Sequence, residues 1–396
     1  MGANILKELG GDRAEQSEFE ELILEHFGLA SHPSNDEILY SRPETEASLK
    51  LVYDRDGFLA RAETIADLSA DDIGVIRRKV EEQLLTPGPI KVRKRILLTA
   101  IPTKGWFRSR DRFQIVPVPA DAPRPHFLHA DHPLILEFTF YSSPNLVISH
   151  QRQERIGREW ELVCSALLAW RLWSIGPHPR WNWSIELEGG RSAASKLLRE
   201  GYTWPSAVLE MEDFSATGEH PVLASVDPRT YYSLHRAGQS LDIPDGFALL
   251  VDRFLSLSRR DRERFLRASY WFQHALRVVP QSRSAAFVAL ISAVEVLSSE
   301  PQSRSRCKEC GQVIGSGPAK QFADFVEAHL PGTLIPEGER KRFYRLRSAV
   351  SHGGKLLLSD HSGWGFTPKN ISEDADMQAL WQIVRAVLYN WLITKA

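Results

Sequence analysis

Four stretches near the C-terminal end of the sequence carry apolar residues at the three- and four-residue spacing of an amphipathic helix. They span residues 260–279, 284–299, 338–352 and 376–393. Helices with apolar stripes of this kind become stable by burying the stripes against one another. The pattern therefore predicts an all-α helical bundle over residues 246–396. Within this range, residues 246–258 are predicted to form a connecting helix.

The preceding part of the chain mixes helical and strand patterns. Helical spacing recurs at 17–29, 70–85 and 153–174, and strand patterns occur at 95–102, 112–119, 133–143 and 180–190. Between residues 213 and 247 both patterns give way to Gly, Pro and polar residues, which indicates a domain boundary. We therefore expect an α+β region over residues 1–240, followed by the all-α C-terminal helical bundle.

The composition favours a cytoplasmic protein without a membrane partner. Of the 396 residues, 43% are hydrophobic and 25% are charged, as in ordinary globular proteins. No apolar run approaches the ~20 residues that span a membrane, and we find no secretory signal. Three cysteines are too few for a disulfide framework, which is consistent with a reducing compartment.

Charge is distributed unevenly along the chain. Residues 250–396 hold 21 Lys/Arg against 14 Asp/Glu, a net charge of +7, whereas residues 1–249 carry −8. A basic C-terminal part favours a polyanionic partner such as a nucleic acid.

The sequence YRLRSAVSHGG, at residues 344–354, closes the third of the four predicted helices. On a helical wheel, His352 lies opposite the apolar stripe, on the same side as Arg345 and Ser348. Arg347 lies near the edge of that stripe. Two copies of this helix facing each other across a twofold axis would bring two arginines and two histidines into one cleft.

The two glycines at 353 and 354 predict how this helix ends. The pair supplies a residue that adopts the left-handed conformation typical of helix C-termini. We therefore expect His352 to sit at a rigid helix terminus.

This motif, preceded by the helical stretch AFVALISAVEVL, resembles the HEPN superfamily and most closely its Apea-like HEPN branch. The resemblance covers roughly residues 250–393 and implies a HEPN-like bundle that forms a homodimer. Active members of the family are metal-independent endoribonucleases that often serve as toxins or antiviral effectors. Arg347, with four residues before His352, fits the Arg–His motif of the family. Arg345, with six intervening residues, also fits, so the identity of the catalytic arginine stays open.

The chemistry of RNA cleavage assigns a role to each of these residue types. A histidine takes the proton of the ribose 2′-hydroxyl or protonates the leaving oxygen, and an arginine stabilises the developing phosphorane. The product would be a 2′,3′-cyclic phosphate, formed without a cofactor. Flanking RNA contacts are expected from Arg340, Lys341, Arg342, Tyr344, Arg345 and Ser348.

Glu295 is the third candidate catalytic residue. It flanks the apolar stripe of the 284–299 helix, where we expect it to be half-buried. A half-buried carboxylate needs a partner, and Arg347 flanks the stripe of its own helix in the same way. We therefore predict an ion pair between Glu295 and Arg347.

A short Cys-x-x-Cys sequence interrupts the bundle in an insert over residues 303–318. Cys307 and Cys310 resemble one half of a structural zinc site, which needs four ligands. Three alternatives stay open: histidines such as His329 or His361 complete the site, two protomers share one site, or the knuckle holds no metal.

Two further clusters lie in the N-terminal region. Histidines at 126, 129 and 132 precede a predicted strand, where convergence on a metal is not expected. Five tryptophans are expected to form core or interface, or a surface that recognises a trigger: Trp160, Trp170, Trp173, Trp181 and Trp183.

Taken with the resemblance, these features predict a two-part antiviral or abortive-infection effector. Its N-terminal region would bind a phage or cellular trigger and regulate the C-terminal ribonuclease. The alternative is a non-catalytic HEPN protein that dimerises and binds RNA or another partner. We find no Walker-type loop, GxSxG or HExxH motif that would make the N-terminal region an enzyme.

Overall fold

The structure is a computed structural model that describes most of the chain. The described residues are 4–43, 47–55, 57–66, 68–120, 122, 132–174, 210–233, 240–298, 305–306, 313–314, 317–330, 335–362 and 367–395.

The chain divides into two compact units. The first comprises Met1–Arg93, Thr139–Gly157 and Glu210–Asp213, and the second comprises Lys94–Phe138, Arg158–Leu209 and Phe214–Ala396. The strands from 94 to 138 thus group with the C-terminal helices. The division into residues 1–240 and 246–396 stays a prediction.

The first unit contains a four-stranded antiparallel meander, in the order β1-β2-β3-β4. Its strands are β1 (Leu29–Ser34), β2 (Glu37–Ser41), β3 (Ser48–Tyr53) and β4 (Leu59–Ala66). Helix α1 (Gln16–Phe27) contributes Phe19, Leu22 and Ile23 to the core, and it ends at Gly28, whose φ of +87° is left-handed.

Helix α2 (Ala70–Lys79) begins with a reciprocal capping box. The Ser69 side chain accepts a hydrogen bond from the Asp72 amide, and the Asp72 side chain accepts one from the Ser69 amide. The helix continues as a π-helical segment over Val80–Leu85. A helix over 70–85 is therefore confirmed, with a change of helical type at its end.

The second unit contains an antiparallel sheet in the order β5-β8-β7-β6, with β9 also paired to β5. The strands are β5 (Ile90–Thr99), β6 (Phe107–Ser109), β7 (Phe113–Pro117), β8 (His132–Tyr141) and β9 (Leu172–Trp173). Strand β10 (Glu210–Met211) pairs with the beginning of β5 inside the first unit. The three predicted strands at 95–102, 112–119 and 133–143 are confirmed with shifted ends.

Short elements complete the part of the chain before the bundle. They are β11 (Ser225–Val226), α4 (Pro228–Ser233) and β12 (Ile243–Pro244), which follow the long helix α3 (Leu146–Leu168). A two-residue pair, β13 (Ser305–Arg306) and β14 (Val313–Ile314), lies within the predicted insert.

The C-terminal region is helical, as predicted. Its helices are α5 (Phe247–Ser256), α6 (Arg259–Val278), α7 (Arg283–Ser298), α8 (Pro318–His329), α9 (Glu337–Ser351), α10 (Leu358–Ser362) and α11 (Pro368–Lys395). Helix α7 is central, because it packs against α6, α8, α9 and α11. Its surface is correspondingly apolar, and Phe287, Leu290, Ile291 and Val294 are almost fully buried.

Asp360 of α10 caps the first turn of α7. Its carboxylate accepts hydrogen bonds from the amides of Arg283 and Ser284, at 2.8 and 2.9 Å, and from the Ser282 hydroxyl at 2.9 Å. Although burial acts in the opposite direction, these bonds hold the pKa of Asp360 below its usual value. A carboxylate at this position also interacts favourably with the helix dipole.

Candidate active site

Helix α9 ends in a Schellman motif that fixes the position of His352. The Gly354 amide donates to the Ala349 carbonyl at 2.9 Å, and the Gly353 amide donates to the Val350 carbonyl at 3.0 Å. Gly353 has a φ of +72°, so the predicted left-handed residue is confirmed. His352 is the C-cap residue, and its side chain is exposed.

Glu295 of α7 joins two residues of α9. Its Oε2 accepts a hydrogen bond from Nη2 of Arg347 at 2.8 Å, and its Oε1 accepts one from the Tyr344 hydroxyl at 2.9 Å. The side chains of Glu295 and Arg347 are 25% and 26% exposed. The predicted ion pair is thus confirmed, and both partners are half-buried, as expected for Glu295.

Tyr344 stabilises this arrangement from two sides. The Arg347 guanidinium carbon lies 5.8 Å from the centre of the Tyr344 ring, and the Phe322 ring of α8 lies 5.8 Å away on a tilted plane. Burial and the hydrogen bond to Glu295 raise the pKa of Tyr344 above its usual value. The hydroxyl therefore stays protonated at neutral pH and serves as a donor to the carboxylate.

Glu295 and Tyr344 do not use all of the hydrogen-bond donors of the Arg347 guanidinium. Of its five N–H donors, one donates to Glu295, and Nε is buried without a hydrogen-bond partner among the described residues. An arginine held by a carboxylate on one side can still offer N–H groups to a phosphate oxygen. Glu295 and Tyr344 thus orient Arg347 without using its full capacity.

The basic run at 340–342 is engaged in ion pairs. Arg340 is only 6% exposed and donates to Glu327 of α8 at 2.5 Å. Lys341 pairs with Glu337. Arg342 pairs with Glu339 and with Asp376 of α11, and the bond to Asp376 raises the pKa of Arg342. In this structure, therefore, these cations are already compensated, and Arg340 does not reach the surface.

The other predicted RNA contacts differ in exposure. Arg345 is exposed, Ser348 is half-buried, and the Tyr344 ring is half-buried with its hydroxyl bound to Glu295. Of the two candidate arginines, Arg347 is the one that meets Glu295.

No family model, curated protein or solved structure matches the chain. The HEPN resemblance therefore rests on the sequence motif alone.

The structure describes only some of the predicted metal ligands. Cys307, Cys310, His126 and His129 lie outside the described residues. Trp181 and Trp183 of the predicted tryptophan cluster also lie outside them. His329 uses its ring nitrogen against the Phe325 carbonyl at 3.0 Å. Across the described ranges, no group of three or more His, Cys, Asp or Glu side chains is placed to hold a metal ion.

The remaining tryptophans of the predicted cluster lie at different depths. Trp160 is buried against Phe113 with ring centres 4.8 Å apart, whereas Trp170 and Trp173 are half-buried. Cys164 is buried in α3, where burial raises the pKa of its thiol. Of the helices that the structure describes, none combines the length and apolar character that crossing a bilayer requires.

The sequence did not identify two acidic partners at this site. Glu327 compensates Arg340 from α8, a helix that the apolar pattern did not predict, and Asp376 compensates Arg342 from the first turns of α11. The signal that could have revealed α8 is Phe322, Ala323 and Val326 at helical spacing after Pro318, a residue favoured in a first helical turn.

Proposed function

We propose that the C-terminal helical region is a metal-independent endoribonuclease of the HEPN type, active as a homodimer in the cytoplasm. One observation carries this proposal: Arg347 is oriented by Glu295 and Tyr344 on the helix whose capped end presents His352 to solvent. A fixed guanidinium and an exposed imidazole on one rigid element are the groups that RNA transesterification needs.

In the proposed reaction the ribose 2′-oxygen attacks the adjacent phosphorus, and the bond from phosphorus to the 5′-oxygen breaks. His352 of one protomer accepts the 2′-hydroxyl proton, and a second proton is donated to the departing 5′-oxygen by the protonated histidine of the other protomer. Arg347 neutralises the negative charge that grows on the phosphorane oxygens. The products are a 2′,3′-cyclic phosphate and a 5′-hydroxyl.

The biological role in this proposal is that of a toxin in antiviral defence or abortive infection. The first 240 residues would bind a phage or cellular trigger and restrain or release the nuclease. A structural zinc at Cys307 and Cys310 belongs to the same proposal and has no part in the chemistry.

The contact between Arg347 and Glu295 also suits a second function. A half-buried arginine bound to a carboxylate is a common structural link between helices. It would serve equally in a non-catalytic HEPN protein that dimerises and binds RNA or another partner. The two functions are distinguished by whether the protein cleaves RNA.

The deciding experiment is RNA cleavage in EDTA with mapping of the new 3′ ends. We expect the wild-type chain to cut total cellular RNA and leave cyclic phosphates, and His352→Ala and Arg347→Ala to be inactive. His220→Ala is the matched control, because His220 is also an exposed histidine and has no assigned role at the site. Arg345→Ala decides between the two candidate arginines.

Equal cleavage by wild type and His352→Ala would overturn the assignment of the site. If neither purified protein cuts RNA, the same variants are expressed under phage challenge. Protection by wild type and His352→Ala alike would then favour the non-catalytic alternative.

A further inference from the structure

An exposed face of helix α6 carries aromatic and basic side chains together. Arg260, Arg267 and Arg277 are exposed on this helix, and Tyr270 is 44% exposed. At 100° per residue, these positions and those of Trp271 and His274 fall within an arc of about 120°. The opposite face is the buried one, where Phe265, Ala268 and Phe272 enter the core. We name these six residues, of which Trp271 and His274 are half-buried, the α6 face.

Three rings of the α6 face contact one another. Tyr270 and His274 stack with ring centres 6.0 Å apart and an interplanar angle of 8°, and Trp271 meets each of them edge-on at 5.6 and 5.9 Å. Burial and the nearby Arg277 lower the pKa of His274, which favours its neutral form. The three rings therefore hold one another in place and leave the outer ring, Tyr270, at the surface.

Trp173 of strand β9 lies close to two arginines, one of which, Arg277, belongs to the α6 face. The guanidinium carbons of Arg171 and Arg277 lie 5.2 and 5.9 Å from the centre of the Trp173 ring. Glu263, a carboxylate on the same helix face, is paired with Arg259 at 3.1 Å. The α6 face is therefore positively charged next to its aromatic cluster.

We propose that the α6 face binds single-stranded RNA. An aromatic ring at the surface offers a stacking platform to an unpaired base, and arginines that flank it contact the phosphates on either side. From Arg260 to Arg277 the helix covers roughly 25 Å, enough for a strand to run along it. A duplex keeps its bases stacked inside, so the rings discriminate against it. This inference rests on the proposed function, in which RNA is the substrate, and adds that the substrate is held in single-stranded form at a surface other than α9.

The test measures binding separately from cleavage. A fluorescein-labelled 20-nucleotide RNA without self-complementarity is titrated with full-length His352→Ala protein, and its fluorescence anisotropy is recorded at several salt concentrations. The same RNA annealed to its complement is the comparison. We expect tighter binding to the single strand.

Variants of the α6 face are then made in the His352→Ala background. Tyr270→Ala should weaken binding of the single strand at least about fivefold, the low end for loss of one base–aromatic stack, whereas Tyr270→Phe should bind like its parent. Arg267→Ala combined with Arg277→Ala should reduce the slope of log K against log salt by about 1.4. Duplex binding should change little in Tyr270→Ala.

Matched controls come from the first unit. Phe58→Ala removes a ring of similar exposure, at 55%, and Arg77→Ala combined with Arg78→Ala removes two exposed charges of helix α2. Both should leave RNA binding unchanged. Circular dichroism verifies that each variant is folded.

Unchanged binding in Tyr270→Ala, or equal losses in the controls, would overturn the inference and leave the proposed nuclease standing. Conversion of a dimer to a monomer by Tyr270→Ala, detected by light scattering, would mark the α6 face as a subunit contact and also overturn it. Loss of single-strand binding in the α6-face variants, combined with no cleavage by wild type, would support the inference and favour the non-catalytic alternative.

Discussion

Replacing Glu295 and Arg347, singly and together, measures how strongly their ion pair links α7 to α9. The variants are Glu295→Gln, Arg347→Met and the double mutant. The two side chains share one charge-assisted hydrogen bond of 2.8 Å, and each is about a quarter exposed. Exposed pairs contribute about 0.2–1 kcal/mol, whereas truncating one partner of a buried pair costs about 3–5 kcal/mol. For this intermediate burial we expect a coupling free energy of about 1–2 kcal/mol.

Hydrogen exchange followed by mass spectrometry is the suitable assay. It reports the free energy of opening of α7 and α9 amides directly, and it does not require that a chain of 396 residues unfold in one step. The control cycle uses Lys320 and Asp324, an i,i+4 pair on α8 at 3.3 Å with both side chains about half exposed. Its coupling should stay below about 0.5 kcal/mol.

A coupling near zero for Glu295 and Arg347, indistinguishable from that of the control pair, would refute the reasoning. It would mean that solvent screens the pair and that Arg347 is not oriented by α7. Raising the salt concentration should reduce the control coupling more than that of the half-buried pair.

Two further substitutions test the helix ends. Asp360→Asn should destabilise the bundle by about 1–2 kcal/mol at pH 7. Because the folded pKa of Asp360 is lowered, its contribution to the free energy of unfolding is present above the unfolded value of about 3.9 and disappears as the pH falls through the folded value. Urea melts of wild type and Asp360→Asn should therefore differ at pH 7, and their midpoints should converge only as the pH is lowered below 4. Gly353→Ala should cost about 1 kcal/mol, since its φ is +72° and no atom lies within 4 Å of the added methyl group. A melting temperature equal to that of wild type would contradict the strain at this position.

The apolar pattern predicted the long helices α6 and α7 because their periodic apolar residues are buried. On α9, only Phe343 of the predicted stripe is fully buried. Phe265 and Phe272 of α6 are seven residues apart, two helical turns, and both are fully buried, as is Phe287 of α7. The periodic signal and the packing therefore agree. The pairing of Glu295 with Arg347 could be predicted for the same reason. Both residues flank an apolar stripe, and two half-buried groups of opposite charge on neighbouring helices meet where the stripes meet.

The meander of the first unit was missed because its first two strands give weak signals. All six residues of β1 are exposed, and β2 has a single buried residue, Tyr40. A clue was present in the Asp-Gly pair at 56–57, a favoured hairpin turn between β3 and β4. Gly57 indeed has a φ of +83°.

The compensation of the basic run at 340–342 could not be predicted from one helix. Positions three or four residues apart on α9 identify Glu337 and Glu339 as local partners. Glu327 and Asp376, however, lie on other helices, and their approach depends on packing that the sequence of α9 does not encode. A cluster of positive charges in a sequence is thus an incomplete guide to the charge that a surface presents.

The Schellman motif at the end of α9 limits the disorder that His352 can have. The hydrogen bonds at Gly353 and Gly354, together with that from the His352 amide to the Ser348 carbonyl at 3.1 Å, fix the backbone on both sides of the histidine. Only its two side-chain torsions remain to be ordered when a substrate or a second protomer arrives. Ordering a backbone residue as well would add about 1–2 kcal/mol of lost entropy, so the two glycines lower the entropic cost of engaging His352 before any ligand is present.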